Sequence, residues 1–250
     1  MLQSSKTFQL LFFILLIIFS CKKPENRSCL KSSGEIKSEI RHLGAFLRIR
    51  LFENLNYELI KDSVEYVELI GGKNLLNFIQ TEVKNEVLTI QDQNTCSFLR
   101  SLKTKVLVRI HFRELDNIYY QGSENLRTLD TLQTKYMTYA QKSGGGTANL
   151  IFNVKYLLVF HSGGVGNFNF SGKCDALNIE LEGNGYCDVR GLVVRDSIAF
   201  THNSFGDMKL SADTIPLRGV IKNSGNVYCK GIPSLVNVSE LFTGKLVYLP

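Results

Sequence analysis

The sequence predicts an all-β protein: a right-handed parallel β-helix, or β-solenoid, with turns of about 20 residues behind a β-rich N-terminal section. Three observations lead there. Glycines recur at positions 122, 146, 166, 185, 206, 225 and 244, spaced 24, 20, 19, 21, 19 and 19 residues apart. Each opens an alternation of apolar and polar residues, the mark of a strand with one buried face. No interval between the glycines has room for a crossover helix.

The N-terminus carries an export signal. Lys6 precedes an apolar run from Leu10 to Phe19. That run is short of the about 20 residues a membrane span needs and suits the core of a signal peptide. Ile18-Phe19-Ser20-Cys21 resembles a lipobox, which makes residues 1–20 a lipoprotein signal peptide and Cys21 the lipidated first residue of the mature chain. The alternative is an ordinary signal peptide with an incidental cysteine. Residues 21–40, "CKKPENRSCLKSSGE" and its continuation, form a polar tether, and residues 41–250 form the folded domain.

Between residues 36 and 120 the runs "AFLRIRLFENLNYELI", "YVELIGG", "IQTEVKNEVLTIQDQ" and "KVLVRIHFRELDNIYY" read as strands, with "GGKN" and "VKNEVL" as turns. They lead without a break into the repeat at about residue 122 and are expected to cap its first turn. Two residues after the repeat glycines stand Glu124, Ala148, Phe168, Cys187, Met208, Val227 and Leu246. Four after them stand Leu126, Leu150, Phe170, Val189, Leu210, Cys229 and Tyr248. Both columns are mostly apolar and should face inward. Asn125, Asn149, Asn169, Asp188, Lys209, Tyr228 and Val247 lie between them and should face outward. A second alternation follows, in Leu157/Val159, Leu177/Ile179/Leu181, Ile198/Phe200, Leu217/Ile221 and Val236/Val238. Each repeat thus reads as a strand, a turn and a second strand. The glycines are expected to supply positive φ at tight corners.

The segment "VELIGGKN…IQTEVKNEVLTIQDQ…KVLVRIHFRELDNIYYQGSENL" resembles the opening of the putative auto-transporter adhesin, head GIN domain family. "NSGNVYCKGIPSLVNVSELFTGKLVYL" is similar to that family's closing signature. Turns such as "NSFGD" and "LFTGK" depart from the family's Ser-Gly-rich corners. The resemblance covers roughly residues 41–250. It implies a secreted, often lipid-anchored β-solenoid of the Bacteroidetes type, at the cell surface or in the periplasm.

Composition narrows the chemistry. The net charge of +6, or +5 once Lys6 leaves with residues 1–20, is spread along the chain without a basic run, which argues against nucleic acid. Apart from Cys21 the cysteines are Cys29, Cys96, Cys174, Cys187 and Cys229, with no CxxC, so neither a zinc site nor a disulfide scaffold is expected. His161 and His202 share a column but lie two turns apart, about 10 Å, too far to hold one metal ion. Asp188 and Lys209 neighbour each other on the outward column, a pair rather than a catalytic constellation. No catalytic residue, metal or cofactor is expected.

The candidate binding face comprises Asn125, Asn149, Asn169, Asp188, Lys209, Asn226 and Tyr228. The amides among them read equally as a ladder of mutual hydrogen bonds. "DSV", "DTL", "DSI" and "DTI" resemble an O-glycosylation acceptor motif, with Ser63, Thr131, Ser197 and Thr214 as acceptors; each also reads as a turn before a strand. The expectation is a lipid-anchored cell-envelope protein, membrane-bound through its N-terminal lipid, that acts as a non-catalytic, adhesin-like module for a glycan or an envelope protein. The alternatives are a carbohydrate-active β-helix enzyme and a structural or assembly protein of the envelope.

Overall fold

The computed structural model describes residues 32–94 and 105–250, so Cys21, Cys29, Cys96 and the signal segment lie outside the described residues. The chain opens with β1 (Ile36–His42), β2 (Arg48–Glu53), β3 (Asn56–Lys61), β4 (Tyr66–Gly72), a single helical turn α1 (Lys73–Leu76), β5 (Ile79–Lys84), β6 (Val87–Asp92) and β7 (Leu107–Phe112). The repeat follows as β8 (Asn117–Gly122), β9 (Asn125–Thr128), β10 (Leu132–Lys142), β11 (Thr147–Gly164), β12 (Asn167–Gly183) and β13 (Cys187–Ser204). It closes with β14 (Met208–Ser211), β15 (Pro216–Ile221), β16 (Val227–Lys230), β17 (Leu235–Glu240) and β18 (Leu246–Leu249). From β8 onward every pairing between turns is parallel, and about seven turns stack into a β-solenoid.

The N-terminal section is a curled mixed sheet, and its order along the coil differs from its order in sequence. The turn made of β2 and β3 lies between β8/β9 on one side and β6/β7 on the other, all in parallel register. Antiparallel pairs then fold across that end: β4 with β7, β1 with β4, and β5 with β6. The first turn of the coil thus has partners on both sides. At the other end β17 and β18 pair on one side only, and Val236, from an inward column, is 43% exposed.

Inside, identical faces stack in register. Leu126, Ala148, Phe168, Cys187, Met208 and Val227 form one buried column, and Met137, Leu157, Leu177, Ile198 and Leu217 form another. Where a ring enters, its neighbour shrinks: a Cβ on Gly219 would meet the Phe200 ring at 2.6 Å. Such burial, about 1.5–3 kcal/mol for each large aliphatic side chain, is the main force closing the coil.

Two expectations about the repeat change. The separate strands foreseen within each turn merge in β11, β12 and β13, which run 18, 17 and 18 residues around a bend, their register shifted only at local bulges. The glycines also act by a different means. None of the seven has a positive φ; in the repeat that conformation falls to Ser143, Gly163, Gly172, Gly183, Thr214 and Gly231. Instead, from Gly185 onward a Cβ on each corner glycine would collide with the carbonyl oxygen of the corner glycine one turn before it. The corners stack backbone on backbone, and only glycine permits that approach.

Candidate functional site

Register assembles the outward column from strands far apart in sequence. Asn149 pairs in turn with Asn169, Asp188, Lys209, Tyr228 and Val247, as the spacing predicts. Asn125 does not belong to this column: it pairs with Thr147, two places away. The 24-residue first interval is the cause, because Gly122 stacks against Gly144 while Glu124 takes the corner position of Gly146. Arg127 therefore precedes Asn149, and beyond it come Glu58, Arg109 and Glu68, from β3, β7 and β4 in that order.

The result is a polar spine along the solenoid whose groups satisfy one another. Glu58 is only 3% exposed. Arg109 Nε donates to its Oε2 at 2.8 Å and Arg127 grips its Oε1. Arg109 reaches on to Glu68 at 3.2 Å, and Ser38 donates to Glu68 at 2.7 Å. Burial opposes ionisation of Glu58, but these guanidinium bonds prevail and hold its carboxyl below the ordinary range. Farther along, Asn169 Nδ2 donates to Asn149 Oδ1 at 3.0 Å, so the two amides form a ladder.

Asp188 marks the middle of the spine. Opposite Asn169–Ser171 strand β13 carries one extra residue, a β-bulge that ends at Gly191. Arg190, in the bulge, turns back on Asp188 with bonds of 3.0 and 2.6 Å. Burial again opposes ionisation, yet the Arg190 side chain and backbone N–H, with Lys209 nearby, hold the Asp188 carboxyl below its usual value. Beside the pair lies an open groove of about 420 Å³ lined by Asn169, Phe170, Asp188, Arg190, Gly191 and Lys230.

The other predicted residues are dispersed. Asn226 is a corner staple: its backbone N–H donates to Asp207 Oδ1 at 2.9 Å and its own Oδ1 accepts from Lys245 N at 2.9 Å. Asn167 does the same for Tyr186 N. Tyr228 is half-buried beside it. Ser63 is exposed and both its N–H and hydroxyl donate to Asp62. Thr131 and Ser197 are half-buried, whereas Thr214 is exposed with φ +60°. The aspartates before Thr131 and Thr214 accept backbone bonds from Lys61 and Ile232.

Sequence reasoning put His161 and His202 in one column, as the register bears out, but missed that this column faces inward. Gln141, His161, Leu181, His202 and Ile221 stack in register at the corner. Gln141 donates to Gly146 O, and His202 Nε2 donates to Gly206 O at 2.9 Å. His161 Nδ1 donates to Glu182 O at 3.0 Å. Both histidines are buried, and the second ring nitrogen of each has no partner. Burial lowers both pKa values, partly offset by the carbonyls they contact. The cysteines Cys174, Cys187 and Cys229 are free and buried, and burial pushes the Cys174 thiol up to about 12. Among the described residues no group of three or more metal-ligating side chains comes together.

The family model described as "Putative auto-transporter adhesin, head GIN domain" matches residues 45–233. The chain belongs to this family. Solved structures share the head GIN fold. A putative adhesin from Bacteroides fragilis, 16% identical, covers 88% of this chain and all of its own, with a TM-score of 0.80. A putative adhesin from Parabacteroides merdae, also 16% identical, covers 88% of this chain and 99% of its own at 0.65. A structure described as a putative lipid binding protein from Parabacteroides distasonis, 15% identical, covers 88% and 100% at 0.65. No curated protein matches.

Proposed function

We propose that this head GIN protein is a lipid-anchored binding module of the cell envelope, without catalysis of its own, that presents the outside of its solenoid to a glycan. One observation carries the non-catalytic part: the carboxylates of the outward spine are committed to neighbouring cations. A glycoside-cleaving acid needs a raised pKa and a second carboxyl about 5–10 Å away. Asp188 and Glu58 are instead held low by arginines. A rigid outer surface with ordered amides, hydroxyls and exposed rings suits recognition of a polyhydroxylated ligand, and membership of a family of putative adhesins supports the same role.

The anchor rests on Ile18-Phe19-Ser20-Cys21. Two or more acyl chains hold a protein on a bilayer where one does so only marginally. Cys21→Ala should move the protein from the membrane to the soluble fraction; continued membrane association of that variant would refute the anchor. For binding, the full chain is tested on glycan arrays and in pulldowns from envelope extracts. Capture of a protein, with no glycan retained, would replace the ligand class. Ser63 and Thr214 are the exposed hydroxyls of the four acceptor motifs, and an unmodified intact mass from a native-type host would remove glycosylation there.

A further inference from the structure

Tyr136 and Tyr156 face outward at a bend of the coil, on adjacent turns in register, and are 55% and 43% exposed. Their rings stack, with centroids 5.0 Å apart and planes within 11°. Lys135 lies over the Tyr136 ring, its ammonium 4.9 Å from the centroid. In the next turn the column continues not with a ring but with Ala176, and in the turn after that with Ser197. The stack stops while the scaffold goes on. One face of Tyr156 is therefore bare above a small side chain. The step between Tyr156 and Ser197 is two turn spacings, about 10 Å, and holds one saturated six-membered ring edge-on.

The rim of this step is polar. Asp175 precedes Ala176, and Arg195 Nη1 donates to its Oδ1 at 3.0 Å. Here β13 carries a second extra residue, so that Arg195 and Asp196 together face Asp175. On the opposite side Asn178 is exposed. An aromatic face beside paired carboxylate, guanidinium and amide groups matches a ligand that is apolar on its flat side and hydroxylated around its edge. We infer that the ledge formed by Tyr156, Ala176 and Ser197 binds one pyranose ring, as the third member of the tyrosine stack. Its edge hydroxyls meet Asp175, Arg195 and Asn178. Because the ring enters edge-on, the site takes the terminal sugar of a glycan rather than the middle of a chain laid along the surface.

This site rests on the glycan-binding role proposed above and locates it. A single sugar of about a dozen heavy atoms binds with Kd on the order of 1 mM. The test is calorimetric titration of the full chain in detergent with methyl glycosides of the common hexoses and N-acetylhexosamines. Tyr156→Ala should weaken binding at least tenfold. Ala176→Tyr, which places a third ring where the sugar sits while extending the stack, should abolish it. Tyr136→Ala should weaken it only about threefold, and Tyr186→Ala, at an exposed tyrosine elsewhere, should change nothing. Sugar binding that survives both Tyr156→Ala and Ala176→Tyr overturns the ledge and leaves the glycan-binding role standing. No binding of any methyl glycoside by the unmodified chain overturns the ledge too; an array that also stays empty overturns the role with it.

Discussion

Replacing Gly185 by alanine isolates what the corner glycines do. Gly185 has no positive φ, so alanine meets no backbone penalty there. A Cβ would, however, lie 2.6 Å from Cε1 and Nε2 of the buried His161 ring, and closer still to the Gly166 carbonyl oxygen. That oxygen belongs to the stacked backbone and cannot rotate away. Relief requires two turns to part or His161 to leave Glu182 O, so the cost falls at the upper end of overpacking, about 3 kcal/mol. Two other glycines serve as controls. Gly145→Ala would meet only Val165 at 3.6 Å, and should change stability by about 0.5 kcal/mol or less, or stabilise slightly. Gly183→Ala has more space, 3.3 Å to its nearest atom, but φ is +105°, so its loss of about 1–2 kcal/mol is conformational. Urea unfolding followed by circular dichroism gives all three values. A Gly185→Ala loss below about 0.5 kcal/mol, or one smaller than that of Gly183→Ala, would refute backbone stacking as the reason for the repeat.

Two further outcomes follow from buried charge. His161 and His202 have folded pKa values below the ordinary value near 6.5, so the unfolded chain binds protons that the native coil refuses. Stability therefore falls as pH drops through about 6.5, by at most about 1.4 kcal/mol per pH unit for each histidine. Gln141 already shows that glutamine can fill this column and bond a corner carbonyl. The double variant His161→Gln/His202→Gln should thus flatten the stability profile between pH 7 and 5, as measured by urea midpoints; an unchanged slope would count against burial of neutral rings. Glu58→Ala leaves Arg109 and Arg127 facing each other and should cost about 2–3 kcal/mol, moderated because both arginines reach solvent. Adding Arg127→Ala should recover part of that loss in a double-mutant cycle.

The period, the strand alternation and the family signature were all legible because they repeat within one continuous stretch of chain. What depends on register between distant segments was not. Asn125 was misplaced by two positions because the interval from Gly122 to Gly146 contains a second glycine, Gly144, that is the true partner of Gly122. The N-terminal half of the spine was invisible, since Glu58 meets Arg109 and Arg127 only once β3 lies between β7 and β9. Asn226 looked like an outward binding residue because composition does not distinguish a corner staple from a free amide. The tyrosine stack, by contrast, could have been read: Tyr136 and Tyr156 are the same residue type one 20-residue period apart, followed by Ala176 at the next period.

The repeat also marks where to look for function. Gly185 to Gly206 is 21 residues, against 19 on either side, and the two additional residues are the two bulges of β13. One lifts Arg190 over the groove beside Asp188, and the other sets Arg195 and Asp196 opposite Asp175 at the tyrosine ledge. Elsewhere along the coil the turns bond each other: amides to amides, staples to backbone, carboxylates to arginines. A surface so satisfied offers little differential energy to a ligand. The bulge arginines Arg190 and Arg195 are each held by a single carboxylate, Asp188 and Asp175, and can exchange it for a ligand without parting the backbone of two turns. Within a regular solenoid, an interval that is too long by two residues is therefore a stronger pointer to a binding site than any of the outward columns that keep strict time.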